Sequence, residues 1–218
     1  MNRIGIDVSN DVFDATRQDE DRRHRRTFEN TASGHRAFVR WALQGSGQAR
    51  VCLEATGVYH LQLALALDRE RAIEVMVVNP CAARRFAQAH MVRAKTDAID
   101  ADGLLLFLQR MPFKRWLPPS EQVLQLQSLA HRMAQLDKEI TREHSRLHAA
   151  RRAGPHSRWV QQDICQHIKH LQGRQQRMQC TAWALIQNAP SLDGMAQRII
   201  SIPGFAQRTA IRLIAELA

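Results

Sequence analysis

Tyrosine, paired cysteines and long apolar segments are scarce in this 218-residue chain. Its single tyrosine, Tyr59, excludes the recombinases that use a tyrosine nucleophile late in a basic helical domain. Four cysteines without a CxxC pair predict reduced thiols, not a zinc knuckle or a disulfide framework. No apolar run reaches the roughly 18 to 20 residues that span a bilayer, and the N-terminus lacks the apolar core of a signal peptide. We therefore expect a cytoplasmic protein that has no contact with a membrane.

Acidic residues are the minority charge, and their shortage is confined to one half of the chain. In total, 21 Asp and Glu oppose 31 Lys and Arg, which gives a formal net charge of +10. Residues 1–108 hold 15 basic and 14 acidic side chains, whereas residues 109–218 hold 16 and 7. A basic excess favours a polyanionic partner, most often nucleic acid. The sequence thus predicts a nearly neutral first part and a basic second part.

Residues 1–112 alternate between strand and helix patterns, and we expect them to form the first domain. The runs with strand character are 3–8, 12–16, 25–28, 50–54 and 73–78. Helical spacing precedes each of the last two runs. Three antiparallel strands followed by helix, strand, helix and strand predict a mixed α/β sheet.

An apolar heptad pattern fills much of the second part. Core positions in residues 126–147, with Glu143 as a polar member, step alternately by three and four residues, and residues 164–185 repeat the pattern. Residues 151–155 interrupt it with a Gly-Pro break. The pattern predicts an antiparallel coiled-coil arm at 120–188, built from two helices of roughly 30 residues and about 45 Å in length.

Residues 192–218 predict a helix, a Pro-Gly turn at Gly204 and a second helix. This arrangement resembles a helix-hairpin-helix, whose backbone amides commonly contact phosphates. The last helix has no stop signal after Leu217, so we expect the chain to be cut short of its natural domain.

Four acidic residues carry the candidate chemistry. Asp7 ends the first strand, Glu54 ends the fourth, and Asp97 and Asp100 lie three residues apart, on one face of a predicted helix. If the first and fourth strands are parallel neighbours, these acids converge at one edge of the sheet, as in ribonuclease-H-like nucleases. Converging carboxylates suit Mg²⁺, which prefers oxygen ligands and supports phosphodiester cleavage. Each acid alone is also typical of a turn, a strand end or a helix cap, so the layout leaves both interpretations open.

Four motifs in the first part resemble those of a known family. They are Gly5-Ile6-Asp7-Val8-Ser9, Leu53-Glu54-Ala55-Thr56-Gly57-Val58-Tyr59, Asn79-Pro80 and Lys95-Thr96-Asp97-Ala98-Ile99-Asp100-Ala101. In this order they are similar to the DEDD transposases of bacterial insertion sequences, a group related to the Piv invertase. The resemblance implies a RuvC-like domain that uses Mg²⁺, with Mn²⁺ as an alternative ion, to cleave phosphodiesters and transfer strands. The implied catalytic and metal-binding acids are Asp7, Glu54, Asp97 and Asp100.

The resemblance continues in residues 202–217, which are similar to the opening of the family's second conserved domain. That domain supplies a nucleophilic serine, and neither Ser191 nor Ser201 matches it. We therefore expect this chain alone to be inactive in strand transfer. The family also implies a structured non-coding guide RNA that pairs with donor and target DNA. The expected setting is the bacterial cytoplasm, with nucleoid association when the protein is bound to DNA.

Basic residues of the predicted arm lie mostly off its apolar seam and are the expected contacts to nucleic acid. Contacts to phosphates give affinity without sequence choice. The arm is also expected to pair subunits into a dimer or tetramer, and a merely solvated basic face is the alternative. The candidate contacts are Lys95, Arg142, Arg146, Arg151, Arg152, Arg158, Lys169, Arg174, Arg177 and Gly204.

Other sites and functions remain as weaker alternatives. His144 with His148, like His167 with His170, has a metal-binding spacing, but no cysteine or acid completes either set. Ser9 is more typical of a turn than of a resolvase nucleophile. The two alternative functions are a RuvC-like nuclease selective for DNA structure, such as a junction resolvase, and a non-catalytic nucleic-acid-binding remnant.

Overall fold

A computed structural model describes residues 1–19, 22–55, 57–90 and 100–217. The chain divides into two compact units, Met1–Pro118 and Pro119–Ala218. Within the described residues, no helix is both long enough and apolar enough to cross a membrane.

The first unit is a five-stranded mixed sheet with helices on both faces. Its strands are β1 (Asn2–Val8), β2 (Val12–Asp19), β3 (Arg22–Glu29), β4 (Ala49–Glu54) and β5 (Ile73–Val78). Its helices are α1 (Ala32–Ala42), α2 (Tyr59–Asp68), α3 (Pro80–Ala89) and α4 (Ala101–Arg110). The strand order is β3-β2-β1-β4-β5, with antiparallel pairing among the first three strands in sequence and parallel pairing of β4 with β1 and β5. The predicted mixed α/β sheet is confirmed. β1 and β4 are parallel neighbours, which is the condition under which the strand-end acids converge.

Both faces of the sheet are apolar because helices cover both of them. On one face, Ile6 and Leu53 belong to a buried cluster that includes residues of α1 and α2. On the other face, Cys52 and Met76 belong to a second cluster that includes Leu104 of α4. Strands buried on both faces are expected to show apolar runs instead of strict alternation, and β1, β4 and β5 do so.

Gly5 allows helix α4 to lie directly on strand β1. A Cβ atom at this position would lie 2.1 Å from the carbonyl oxygen of Ala101 and 2.3 Å from the amide nitrogen of Leu105. These distances are far below van der Waals contact, so only glycine fits this approach of the two backbones. The contact fixes the N-terminal turn of α4 over the middle of β1.

Strand β3 lies at one edge of the sheet and is attached through an aromatic cluster. Phe28 is buried, and its ring centroid lies 5.4 Å from those of Phe13 and Phe38. The remaining residues of the strand are exposed and mostly basic. They include Arg22, Arg23, His24, Arg25 and Arg26.

The second unit is built around two long helices, α5 (Glu121–Arg152) and α6 (Arg158–Gln187), followed by α7 (Pro190–Ile200) and α8 (Gln207–Leu217). α5 has 32 residues and α6 has 30, in agreement with the predicted lengths. Leu147 clusters with Ile164 near the connection of the two helices. Met133 clusters with Ala182 at the far end, so the helices run in opposite directions.

Candidate active site

Asp7 and Glu54 lie side by side at one edge of the sheet. Ile6 of β1 pairs in register with Leu53 of β4, and each acid is the next residue along its strand. Asp7 follows Gly5 by two residues and therefore shares the face on which α4 packs. Both carboxylate-bearing residues are half-buried. The parallel register thus brings together the two acids that the sequence places at strand ends.

A third acid, Asp14, lies opposite Asp7 across the β1–β2 hairpin. The hydroxyl of Thr27 on β3 donates a hydrogen bond of 2.5 Å to Asp14 Oδ1. Sequence reasoning did not select Asp14, although the tight turn at residues 10–11 carries the signal. A two-residue turn fixes the hairpin register, and that register pairs residue 7 with residue 14.

Asp100 is the residue that caps helix α4 at its N-terminus. Its backbone is extended, with φ −78° and ψ 175°, and its Oδ1 accepts a hydrogen bond of 2.8 Å from the Gly103 amide. The cap satisfies one of the free amide donors of the first turn, which explains why the helix begins at Ala101. Asp100 therefore precedes α4 and caps it from outside the helix. Asp97 and Lys95 lie outside the described residues.

The electrostatic state of Asp7 reflects the crowding of these acids. Burial raises the pKa of the Asp7 carboxyl, and the negative charges of Asp14, Glu54 and Asp100 raise it further. A hydrogen bond with the backbone at Val8 acts in the opposite direction. The ionised form is thus disfavoured here, and a cation placed among the carboxylates would stabilise it.

An open cleft of about 440 Å³ lies in front of Asp7, Asp14 and Asp100. Arg25 of β3 also lines it and forms an ion pair with Asp102 of α4, in which Arg25 Nε lies 3.3 Å from Asp102 Oδ1. Acidic and basic side chains therefore line the same cleft. The carboxylates that line this cleft would supply oxygen ligands to a cation, and the Arg25 guanidinium would be available to a phosphate.

A smaller cleft of about 280 Å³ adjoins Glu54 and is also lined by Pro80, Cys81 and Arg84. Asn79 begins α3 at this place, because its Oδ1 accepts a hydrogen bond of 2.8 Å from the Cys81 amide and Pro80 occupies the first helical position. The Asn-Pro motif thus positions the first turn of α3 beside Glu54. Arg84, which the sequence did not single out, is a second basic side chain at the edge of the acidic site.

One side chain joins the turn that follows β1 to the first residue of α2. Asn30 Nδ2 donates hydrogen bonds of 3.0 Å to the Ser9 carbonyl and 3.1 Å to the Tyr59 carbonyl. His35 Nε2 lies 2.8 Å from Asn30 Oδ1 and holds the amide in this orientation. Burial lowers the pKa of His35, which favours its neutral form. Asn30 and His35 therefore link the turn after β1 to the start of α2.

The candidate metal ligands at this edge of the sheet are all carboxylates. Among the side chains of residues 1–19, 22–55, 57–90 and 100–217, no group of three or more His, Cys, Asp or Glu is arranged to hold a metal ion. This finding includes the histidines of α5 and α6. Among them, His167 Nδ1 lies 3.8 Å from Glu143 Oε1. Asp7, Glu54 and Asp100 interact electrostatically, and all of them offer the hard oxygen ligands that divalent cations prefer.

Most of the candidate nucleic-acid contacts in the second unit are exposed to solvent. Arg174 is half-buried, and Arg146 forms an ion pair with Glu143, a buried acid of the helix seam. Gly204 lies in the turn between α7 and α8 with φ +88°, and nothing lies within 4 Å of where its Cβ would be. The exposed members are Arg142, Arg146, Arg151, Arg152, Arg158, Lys169 and Arg177.

Comparison with known proteins identifies the family. The family model of the IS110-type DEDD transposases, described as a transposase, matches residues 4–151. The chain belongs to this transposase family. Relatives of this IS110-type chain include the pilin gene-inverting proteins of Moraxella bovis and Moraxella lacunata, each 26% identical over 215 residues. The alignment covers 97% of the chain and 64% of each relative, so the chain spans less than two thirds of their length.

Proposed function

We propose that the chain acts in DNA transposition or site-specific recombination, with a divalent cation held at the carboxylate edge of its sheet. Membership of the transposase family supports the reaction class. The observation that carries the proposal is the meeting of Asp7, Glu54 and Asp100 where β1, β4 and the start of α4 come together. Asp97 is proposed as the fourth acid, in a ribonuclease-H-like, RuvC-like domain of residues 1–112.

The chemistry of the donors supports Mg²⁺, with Mn²⁺ as an alternative ion. Asp7 is crowded by negative charge, and a bound cation offsets that repulsion. Asp100 caps α4 with its Oδ1, so its second carboxylate oxygen would be the metal ligand. When bound, the cation would polarise the scissile phosphodiester and stabilise the leaving oxygen.

The chain's own residues would position the substrate around this centre. Gly5 holds α4 against β1 and so sets the place of Asp100 relative to Asp7. Asn30 joins Ser9, in the turn after β1, to Tyr59 at the start of α2, which would limit the movement of the chain that follows Asp7. Arg25 is 69% exposed and neutralised on one side by Asp102, so its free edge would contact a phosphate that enters the cleft.

The second unit is proposed to hold nucleic acid and to pair subunits. Its long helices would form a coiled-coil arm at 120–188, and residues 192–218 would contact phosphates through the turn at Gly204. DNA and a structured guide RNA are the proposed partners, in a homodimer or homotetramer. The exposed basic side chains of α5 and α6 support this role.

The metal proposal is tested by isothermal titration of the purified chain with MgCl₂ and with MnCl₂. Wild-type protein should bind either ion, and Asp7→Asn should abolish binding because it removes a charged ligand from the centre of the cluster. Asp11→Asn is the matched control: Asp11 is exposed and lies in the turn of the same hairpin. Binding that survives Asp7→Asn, or that Asp11→Asn reduces equally, would contradict the proposed site.

The proposed arm is tested by the salt dependence of duplex DNA binding. Arg151→Glu with Arg152→Glu should weaken affinity and reduce the slope of log affinity against log salt by about 2, because two phosphate contacts are lost. Arg69→Glu, at an exposed arginine of the first unit, should leave the slope nearly unchanged. An unchanged slope in the arm variant would contradict the assignment.

A further inference from the structure

Trp159 is the most exposed aromatic side chain described in the chain. It retains 81% of its accessible surface, and the adjacent Val160 retains 55%. Tryptophan normally buries most of its large apolar surface, so an indole held in water indicates a binding surface. Both residues lie in the first turn of α6, next to the connection between the two long helices. We name residues 151–160 the arm tip.

The arm tip is strongly basic. Arg151, Arg152, His156 and Arg158 are all exposed and lie within eight residues of Trp159 in the sequence. Between residues 144 and 192 the sequence holds a single acid, Asp163. Positive charge around an exposed aromatic ring fits a polyanion better than an apolar protein surface, because a protein partner would have to bury these charges.

The backbone of the arm tip is braced by side-chain hydrogen bonds. The Ser157 hydroxyl lies 2.6 Å from the Ala150 carbonyl oxygen and 2.7 Å from that of Gly154. Gln161 Nε2 lies 2.8 Å from the Ser157 hydroxyl and 3.3 Å from the Ala150 carbonyl oxygen. These bonds join the end of α5 to the start of α6. Trp159 is therefore presented on an ordered turn, which lowers the entropy lost on binding.

We propose that the arm tip binds an unpaired nucleotide of DNA or RNA, with its base stacked on the Trp159 indole. Arg151, Arg152 and Arg158 would contact the flanking phosphates. Bases in a duplex are stacked on one another and offer no face to an indole, whereas a single strand does. The proposal rests on the nucleic-acid role proposed above for the arm, and it names single-stranded segments as the ligand.

Fluorescence anisotropy with labelled oligonucleotides tests the proposal on the full chain. The probes are a single-stranded DNA, a single-stranded RNA of the same sequence and the corresponding DNA duplex. Trp159→Ala should weaken single-strand binding about tenfold, the scale of one lost base stack, and leave duplex binding within about twofold. Trp159→Phe should restore most of the affinity. A loss limited to the DNA or to the RNA strand would identify the source of the nucleotide.

Leu117→Ala provides the matched control, because Leu117 is an apolar side chain of the first unit with 77% exposure. Its affinities should equal those of the wild type. Equal weakening of strand and duplex by Trp159→Ala, or no change in either, would overturn the proposal. So would a loss of self-association in sedimentation with unchanged affinity, since Trp159 would then contact a second copy. If the Arg151 and Arg152 variants also leave all binding unchanged, the proposed arm function fails as well.

Discussion

A methyl group on Gly5 would come within 2.1 Å of the carbonyl oxygen of Ala101. The contact joins the strand that carries Asp7 to the helix that Asp100 caps. Because backbone lies against backbone, neither element can shift a side chain to relieve an added atom. The distance between Asp7 and Asp100 therefore depends on Gly5, a residue that has no side chain to take part in the chemistry.

Gly5→Ala should destabilise the chain by about 1–3 kcal/mol or more, because α4 must move away from β1. Urea unfolding followed by circular dichroism measures the loss. Gly173→Ala is the control: Gly173 lies inside α6, with Arg177 Nη1 at 3.7 Å from the added Cβ, and alanine there should stabilise by about 0.5–1 kcal/mol. A neutral Gly5→Ala would contradict the close packing.

Asp7→Asn should stabilise the metal-free chain at neutral pH. Burial and neighbouring acids raise the pKa of Asp7, so the folded state holds its proton more tightly than the unfolded state. The stability that this proton supplies is lost as the pH rises through the raised pKa. The melting temperature of the variant should exceed that of the wild type by about 2–4 °C for each kcal/mol relieved.

The difference between the two proteins should shrink as the pH falls through the raised pKa of Asp7, and it should be nearly lost below about 4, where Asp7 is protonated in both states. Melting curves recorded with a chelator across this range give the comparison. A variant that is less stable than the wild type at neutral pH would show that Asp7 makes favourable interactions that outweigh the repulsion.

The strands of the mixed sheet could be predicted because short apolar runs and tight turns mark them. Asp7 and Glu54 could be identified as strand-end acids for the same reason. The parallel pairing of β1 with β4 could be posed only as a condition, since no local pattern sets the order of strands in a sheet. The role of Asp100 as a helix cap could not be predicted, since an acid at the start of a helix fits the first turn and the cap position equally well. Local hydrogen bonding to Gly103 decided between them.

His35 should make the stability of the first unit depend on pH near neutrality. Burial lowers its pKa, so the unfolded chain takes up the proton first, and stability falls as the pH drops below about 6.5. Wild-type protein should lose more stability between about pH 7.5 and about pH 5.5 than His35→Gln, which keeps a donor for Asn30. His156→Gln, at an exposed histidine, should retain the wild-type dependence. Identical pH profiles in wild type and His35→Gln would exclude His35 as the cause.

Cys52 should resist thiol reagents in the folded chain. Its side chain is fully buried between β4 and the helices of one face, and burial raises its pKa to about 12. Thiolate is the reactive form, so Ellman's reagent at about pH 8 should modify the exposed Cys81 and Cys180 first and Cys165 more slowly. Denaturant should expose Cys52 to the reagent. Rapid labelling of Cys52 without denaturant would indicate local opening of the sheet.

Gln175→Leu should stabilise the second unit by about 1–3 kcal/mol. The side chain is buried in the seam of the long helices, and its Nε2 has no hydrogen-bond partner. A buried amide without a hydrogen-bond partner destabilises the folded state by the free energy of its lost hydration. Leucine has no polar group, so this loss does not arise. Thermal melts compare this variant with Gln172→Leu, an exposed position of the same helix that should change little. Destabilisation by Gln175→Leu would indicate that the amide is needed for packing.

The apolar seam and the lengths of α5 and α6 could be predicted from the heptad alone, because its period is that of a two-helix contact. Arg25 and Asn30 were missed for a common reason. Each reaches the site from a strand or turn that is distant in sequence, so its role depends on sheet order and not on any local motif.

Strand β3 leaves one edge of the sheet open, and arginines occupy most of its exposed positions. Open edges are templates for pairing with another chain, and two such edges here would bring like charges into contact. Repulsion of this kind is screened by salt. The solubility of the protein should therefore fall as ionic strength rises, so that high salt, often used to strip bound nucleic acid during purification, would favour edge-to-edge aggregation.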